Sequence, residues 1–442
     1  MPDCLSSLLS TISGDTVLWR YGRELFTAER LKESVKACQA QGLPKAAQVA
    51  IEAEDVVSAL TWLIALDGMV SSVFLVPLSL LRSSEYEVLR AKAGCTHVVS
   101  TGGVREISKA AAFDNEEVAI GTNWILATSG TTGTPKLIKH TTASLTRTCK
   151  KDIRKGAEFI WGLVYDPFRF AGLQVVLQSF FSGSCLVICD PQMSIKDTAD
   201  SLTVGKVNAL SATPSFWRKL LMSGEAKCLR LKQITLGGES ADQSVLDALA
   251  RAYPDARIAH IYASTEAGVG FSIRDGKAGF PASMLRDSGP FPHFTVGPEG
   301  TLLIRVQSDL ASESIDGAPL QDQGFIDSGD LVELSGDRVF FLGRDSGAIN
   351  VGGNKVIPEQ VESVIRAVPG VAEVVVKPKA SGVMGQLVVA EVVPEQSDMD
   401  KKVLKKNISA YCRENLHNYQ VPALIRFVDQ VQVNMTGKIK RT

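Results

Sequence analysis

Apolar residues recur at helical spacing over residues 56–66, close into a short continuous run over 72–76, return to helical spacing over 86–93 and close up again over 97–100. By period these segments are helix, strand, helix and strand in turn. The alternation resumes downstream, with 171–181 helical before a strand at 185–189, and a strand at 209–212 before a helix at 216–222. Strands separated by helices pair through right-handed crossovers, so the pattern predicts mostly parallel sheets with helices over their faces. From about residue 295 the texture changes: strand-like pieces at 301–306, 331–334 and 338–342 are joined by Gly, Ser and Asp turns, which predicts a small β-rich subdomain. After Gly343 comes a compact α+β pattern: a helix over 358–368 opening with Pro and Glu, strands at 371–377 and 386–393, a helix over 401–416 and a strand at 424–428. The expected fold class is α/β, with a large N-terminal domain over 1–343, a connector at 344–347 and a small α+β C-terminal domain over 348–442. There is no internal repeat of fixed period and no low-complexity tract.

Composition narrows the class. The 442 residues are 45% hydrophobic, enough for a sizeable core and, at roughly 100–200 residues per domain, for two to four domains. Lys and Arg number 47 against 48 Asp and Glu, a formal charge of −1, so no basic field exists to hold a phosphodiester backbone and nucleic acid is not an expected partner. Eight cysteines are scattered without a Cys-x-x-Cys pair, which argues against a zinc ribbon or a thioredoxin-type motif and for free thiols in a reducing compartment. The most apolar stretch, 64–81, is broken by Asp67, Gly68, Ser71, Ser72 and Pro77 and falls short of the roughly 20 apolar residues of a membrane span. Residues 1–15 show no basic cluster followed by an apolar run, so the expected location is cytoplasmic.

The chemistry concentrates first in Thr128-Ser129-Gly130-Thr131-Thr132-Gly133-Thr134-Pro135-Lys136, preceded by the apolar run 124–127. Small residues let successive backbone N–H groups approach an anion, the hydroxyls add donors and the lysine neutralises charge, so this reads as a phosphate-gripping loop after a strand. The spacing of a Walker A loop is absent.

This loop resembles that of the acyl-adenylate-forming superfamily: acyl-CoA and aryl-CoA synthetases, nonribosomal peptide adenylation domains and luciferase-like enzymes. Further segments support the resemblance in the same order along the chain. Gly237-Gly238-Glu239 follows a strand at 233–236, and Tyr262-Ala263-Ser264-Thr265-Glu266 follows one at 258–261. Next come Asp327-Ser328-Gly329-Asp330, Gly343-Arg344, the run from Gly352-Gly353 to Glu362, and finally Asn434-Met435-Thr436-Gly437-Lys438. Each alone is weak, but together they span residues 124–441.

The resemblance implies roles residue by residue. Thr128 to Lys136 would hold the triphosphate of ATP, Tyr262 would stack on adenine, Thr265 would bond the α-phosphate and Glu266 would ligate Mg²⁺. Gly237, Gly238 and Glu239 would border the adenine and acyl pockets, Asp330 would accept the ribose hydroxyls, and Arg344 would donate to ribose or phosphate. Lys438 is the implied catalytic lysine, because an ammonium bridging acyl and phosphate oxygens stabilises the charge built as a carboxylate attacks phosphorus; its plain alternative is a solvated lysine in a basic tail with Lys440 and Arg441. In the family the small C-terminal domain rotates between acyl-AMP formation and thioester formation, which implies a hinge at Ser346 beside Asp345 and places Gly352 and Gly353 at the thiol tunnel. The chain departs from the common pattern at Leu137 and Ala263, where Gly is frequent, and near Gln432, where an upstream Pro is common.

For the acyl group, the run from Tyr165 to Leu173 falls where relatives line the acid pocket, placing Arg169 and Phe170 at its wall. An arginine there favours an acid with a second polar group, whereas the alternative is a structural arginine paired with Asp166 or solvent. His260, Ser211, Thr213 and Phe216 are further pocket candidates by their proximity to motifs. The compact chain is similar in length to o-succinylbenzoyl-CoA synthetases and small aryl-acid ligases, which implies an aromatic or short polar acid. The implied thiol partner is CoA or the phosphopantetheine of a separate carrier protein. A catalytically inactive nucleotide sensor is the contrasting class, and the retained set Lys136, Thr265, Glu266, Asp330, Arg344 and Lys438 speaks against it.

Overall fold

The computed structural model describes residues 4–108, 121–128, 135–286, 289–307, 312–315, 324–381, 384–396 and 399–431. Among these, two large sheets carry the N-terminal body. One runs in the order Gly268–Ile273, Arg257–Ser264, Gln233–Gly237, Ala209–Ala212, Ile160–Leu163, Cys185–Ile188, Val17–Tyr21 and Glu24–Thr27, parallel throughout except at its two edges. The other runs Glu313–Ser314, Leu137–Thr141, Asn123–Ala127, Ser72–Leu75, Gln48–Ile51, His97–Ser100 and Gly103–Glu106, parallel at its centre and antiparallel outside it.

One apolar core joins residues of both sheets, such as Trp19 and Ile188 from the first and Val73 and Trp124 from the second, with the helices Val56–Leu66 and Phe170–Phe181. A helix covered on both sides has little use for a polar face, which explains why 56–66 is apolar almost all round. Asp55 starts this helix by accepting from the amides of Val57 and Ser58. The apolar stretch 64–81 resolves into the end of this helix, the fully buried strand Ser72–Leu75 and a short helix, Leu78–Leu81. No helix among the described residues is long and apolar enough to cross a membrane. All eight cysteines are unpaired.

A third, antiparallel sheet of Phe280–Pro281, Arg338–Arg344, Ile326–Ser335, Thr301–Arg305 and His293–Val296 forms the β-rich part. Its longest strand extends well before the expected 331–334 because Asp327, Ser328, Gly329 and Asp330 conceal its start; Gly329 takes a φ of +68° there. A one-turn helix, Asp345–Gly347, follows Arg344. Beyond it, a fourth sheet encloses a separate core made only of residues from 349–427. Gly343, at φ +140°, sits where the two parts meet, and a methyl there would collide with Glu359 and Ile357.

Candidate active site

The register of the third sheet builds the first constellation. Asp330 lies directly opposite Arg344 across two antiparallel strands, so both side chains project from one face, and Arg344 Nε donates to Asp330 Oδ1 at 3.0 Å. Tyr262, near the end of Arg257–Ser264, donates its hydroxyl to Asp330 Oδ2 at 2.7 Å. Its ring stacks on Phe341 at 4.8 Å and on Phe271 at 5.3 Å. Burial and the neighbouring Asp330 carboxylate push the Tyr262 phenol well above its ordinary pKa, so it stays a donor. Burial opposes the charge on Arg344, but Asp330 and Glu266 outweigh it and hold the guanidinium protonated. The Ser328 hydroxyl, donating to the Leu302 carbonyl and accepting from the Asp330 amide, fixes the backbone that aims Asp330.

Beside this group, the strand Gln233–Gly237 ends in Gly238 at φ +82°, a conformation that favours glycine. Glu239 accepts from the Ser215 amide at 3.0 Å, at the N-terminus of the helix Pro214–Met222 where the helix dipole favours an anion. A cleft of about 1220 Å³ is lined by Gly238, Glu239, His260, Tyr262, Asp330 and Arg344 on one side, and by Glu359, Gln360 and Arg366 of the C-terminal unit on the other. His260 hydrogen-bonds the Lys277 carbonyl at 3.0 Å, and burial lowers its pKa. Phe216 packs edge-on against Trp217 and is absent from this lining, as are Gly237, Arg169 and Phe170. The Gly237 carbonyl instead accepts from Tyr165.

The loop 128–136 closes a hairpin between Asn123–Ala127 and Leu137–Thr141, and the amide of Thr128 donates to the Lys136 carbonyl at 2.8 Å while the Lys136 amide donates to Thr128 Oγ1 at 3.3 Å. Residues 129–134, including Ser129, Gly130, Thr131, Thr132 and Gly133, lie outside the described residues, as does Lys438. Thr265 and Glu266 occupy the turn after the strand that carries Tyr262. Gly352 and Gly353, at φ +58° and +88°, form the two-residue turn between Ile349–Val351 and Asn354–Val356, a conformation for which paired glycines are suited. Ser346 lies in the one-turn helix after Arg344, and its neighbour Asp345 accepts from Lys355 at 2.9 Å.

Arg169 sits at the start of Phe170–Phe181, donates to Ser79 Oγ at 3.0 Å and keeps a buried Nε without a partner. Burial lowers its pKa despite the nearby Asp166, whose oxygens accept from the amides of Phe168 and Leu78. Sequence reasoning missed a half-buried ionic cluster in the cleft lining: Asp242 Oδ2 accepts from Arg218 at 2.5 Å and from Arg366 of the C-terminal unit at 3.2 Å. Asp242 is visible in sequence as a helix cap, but a partner 124 positions away leaves no periodic signal. No group of three or more His, Cys, Asp or Glu residues suited to a metal occurs among the described residues.

The first large sheet, the antiparallel subdomain and the small C-terminal unit meet at this polar cleft. Residues 25–294 match the AMP-binding enzyme family and residues 360–438 match the AMP-binding enzyme C-terminal domain, and the chain belongs to this family. It is 27% identical over 389 residues to the 2-succinylbenzoate–CoA ligase of Bacillus subtilis, covering 82% of this chain and 76% of that protein. It is 25% identical over 371 residues to a mitochondrial acyl-coenzyme A synthetase of Mus musculus; the match takes in 76% of this chain but only 63% of that relative's length. In fold it is similar to the o-succinylbenzoate CoA synthetase of Bacillus subtilis in complex with its acyl-adenylate intermediate, with a TM-score of 0.72, 18% identity, and coverage of 100% of this chain and 97% of the other.

Proposed function

We propose that this protein activates a carboxylic acid with ATP to an acyl-AMP, releasing pyrophosphate, and then passes the acyl group to the thiol of CoA, releasing AMP. The observation that carries the reading is Asp330, bridged to Tyr262 and Arg344 at the mouth of the cleft beside Gly238. Each Asp330 oxygen spends one acceptor site on these partners and has a second for a ribose hydroxyl. The exposed face at Gly238 and the ring of Tyr262 frame the adenine, and the hairpin loop closed by Thr128 and Lys136 grips the phosphates. Thr265 bonds the α-phosphate. A single carboxylate, Glu266, together with substrate phosphates suits Mg²⁺, which would neutralise phosphate charge when bound.

In the first stage a carboxylate oxygen attacks the α-phosphorus, the bond to the pyrophosphate oxygen breaks, and Lys438 stabilises the charge that develops. In the second, a thiol sulfur attacks the acyl carbon, the bond to AMP breaks and the thiol proton goes to solvent. Residues 344–347 serve as the hinge between domains 1–343 and 348–442, Ser346 at its centre, and the Gly352–Gly353 turn then reaches the thiol tunnel. The similarity to the 2-succinylbenzoate–CoA ligase of Bacillus subtilis supports an aromatic or short acid with a second polar group.

The test is product analysis with MgATP, CoA and a panel of aryl, dicarboxylic, amino and fatty acids. One AMP and one pyrophosphate per thioester are expected with one acid class; ADP release would contradict the reading, and acyl-AMP formed without CoA turnover would point to a carrier-protein thiol instead.

A further inference from the structure

Each of the three peptide carbonyls of residues 265–267 accepts a hydrogen bond from a side chain of the other large sheet or its adjoining segments. His140 Nε2 donates to Thr265 at 2.8 Å, the Ser312 hydroxyl donates to Glu266, and Arg147 Nη2 donates to Ala267 at 3.2 Å and onward to Val269 at 2.5 Å. His140 lies on the hairpin strand that follows the 128–136 segment, and the other two donors adjoin that hairpin. His140 stands four residues beyond Lys136 on Leu137–Thr141, Ser312 immediately precedes the short strand paired to Lys139 and Ile138, and Arg147 ends the helix Thr142–Thr146.

We infer that His140 is a positioning residue for acyl-AMP formation, locking the peptide of residues 265–266 at a fixed distance from Lys136, four residues before it on the same strand segment. The inference rests on the adenylation reading, in which loop and turn grip opposite parts of one triphosphate. These two grips sit on different sheets, so no backbone ladder sets their separation. A displacement of about 1 Å between groups acting on one reacting phosphorus is enough to cost rate.

His140 is suited to the task. Only 3% exposed, it is packed against the ring of Phe170 at 5.9 Å. Burial lowers its pKa to about 4, so it is neutral near pH 7, with Nε2–H donating to the carbonyl and Nδ1 within hydrogen-bond distance of Ser144 Oγ at 3.0 Å. A short, rotamer-locked imidazole held at both nitrogens is a stiffer strut than Arg147, whose long side chain carries more rotamer freedom.

The test compares His140→Leu, which fills the volume and removes the donor, with His140→Gln, whose amide places an N–H at similar reach. Acid-dependent ATP–pyrophosphate exchange is measured as kcat and KM alongside the thermal midpoint. His140→Leu is expected to fold and to lose about 10- to 100-fold in kcat with little change in the KM of the acid, and His140→Gln to recover to within roughly threefold of the parent. Unchanged kcat in His140→Leu, or equal losses in both variants that track their midpoints, would overturn the inference by marking an ordinary core residue. Should the parent show no exchange with any acid, the adenylation reading fails instead, and hydrogen exchange then judges the strut. Faster amide exchange confined to 264–269 in His140→Leu upholds it, and unchanged protection there overturns it.

Discussion

The turn Thr265–Ala267 and the C-terminal unit both stand close to the nucleotide-binding constellation, and they are fastened in different ways. The turn is pinned by side chains to three successive carbonyls, one of them from the buried imidazole of His140. The C-terminal unit keeps its apolar core to itself, and the ionic tie from Arg366 converges on Asp242 Oδ2, an oxygen already bonded to Arg218. Losing Arg366 therefore still leaves Asp242 with a cation. Groups that act on a reacting phosphorus gain from rigid mounting, whereas a unit proposed to swing between two stages needs contacts that break without stranding a buried charge.

The largest expected effect lies on the rigid side. Asp330→Ala removes the acceptor shared by Tyr262 and Arg344 and the proposed ribose contact, and should weaken MgATP binding roughly 100-fold, about 3 kcal/mol, by calorimetry. Unchanged affinity would remove this constellation from the nucleotide site.

Next comes the pH response of the strut. Burial depresses the folded-state pKa of His140 to about 4, below its ordinary value near 6.5, so the stability it confers is complete above pH 6.5 and lost as pH falls toward 4. Up to roughly 3 kcal/mol of acid-side slope should vanish in His140→Gln when unfolding is followed between those limits. An identical slope would mean other groups dominate that window.

On the looser side, Arg366→Ala should lower the unfolding free energy of the C-terminal unit by about 1–2 kcal/mol and speed proteolysis near 344–347. Burial raises the Asp242 pKa, but Arg218, Arg366 and its cap hydrogen bonds lower it more. The net depression places this contribution above the ordinary carboxylate pKa of about 3.9, and it is lost as pH falls through the lower folded value. The contact should therefore persist at pH 5 and loosen only as pH falls through the depressed carboxylate pKa. The smallest effect is expected for Lys355→Ala, whose exposed pair with Asp345 flanks the connector; its thermal midpoint should match that of the parent.

Much of the architecture could be read from hydrophobic period alone, because helices such as Val56–Leu66 and strands such as Ser72–Leu75 meet apolar neighbours on both sides. More polar amphipathic helices, Ile195–Val204 and Gln243–Ala252 among them, escaped that reading although Ser194 and Asp242 cap them in the usual way. Motif order brought out Tyr262, Asp330 and Arg344, but their union depends on the register that sets residue 330 against 344, which no local pattern specifies. No motif or period singles out His140; its contact with Thr265 exists only where two sheets meet. Arg169 is close enough to Asp166 for that charge to act on it, as the structural alternative requires, and it is not among the residues that line the cleft.

The most direct test of the central claim is ATP–pyrophosphate exchange with and without acid, in the parent protein and in Lys438→Ala. The account predicts exchange that requires one class of acid and falls by about 100-fold or more in the variant, while MgATP still binds. Acid-independent exchange, or full activity in Lys438→Ala, would contradict it.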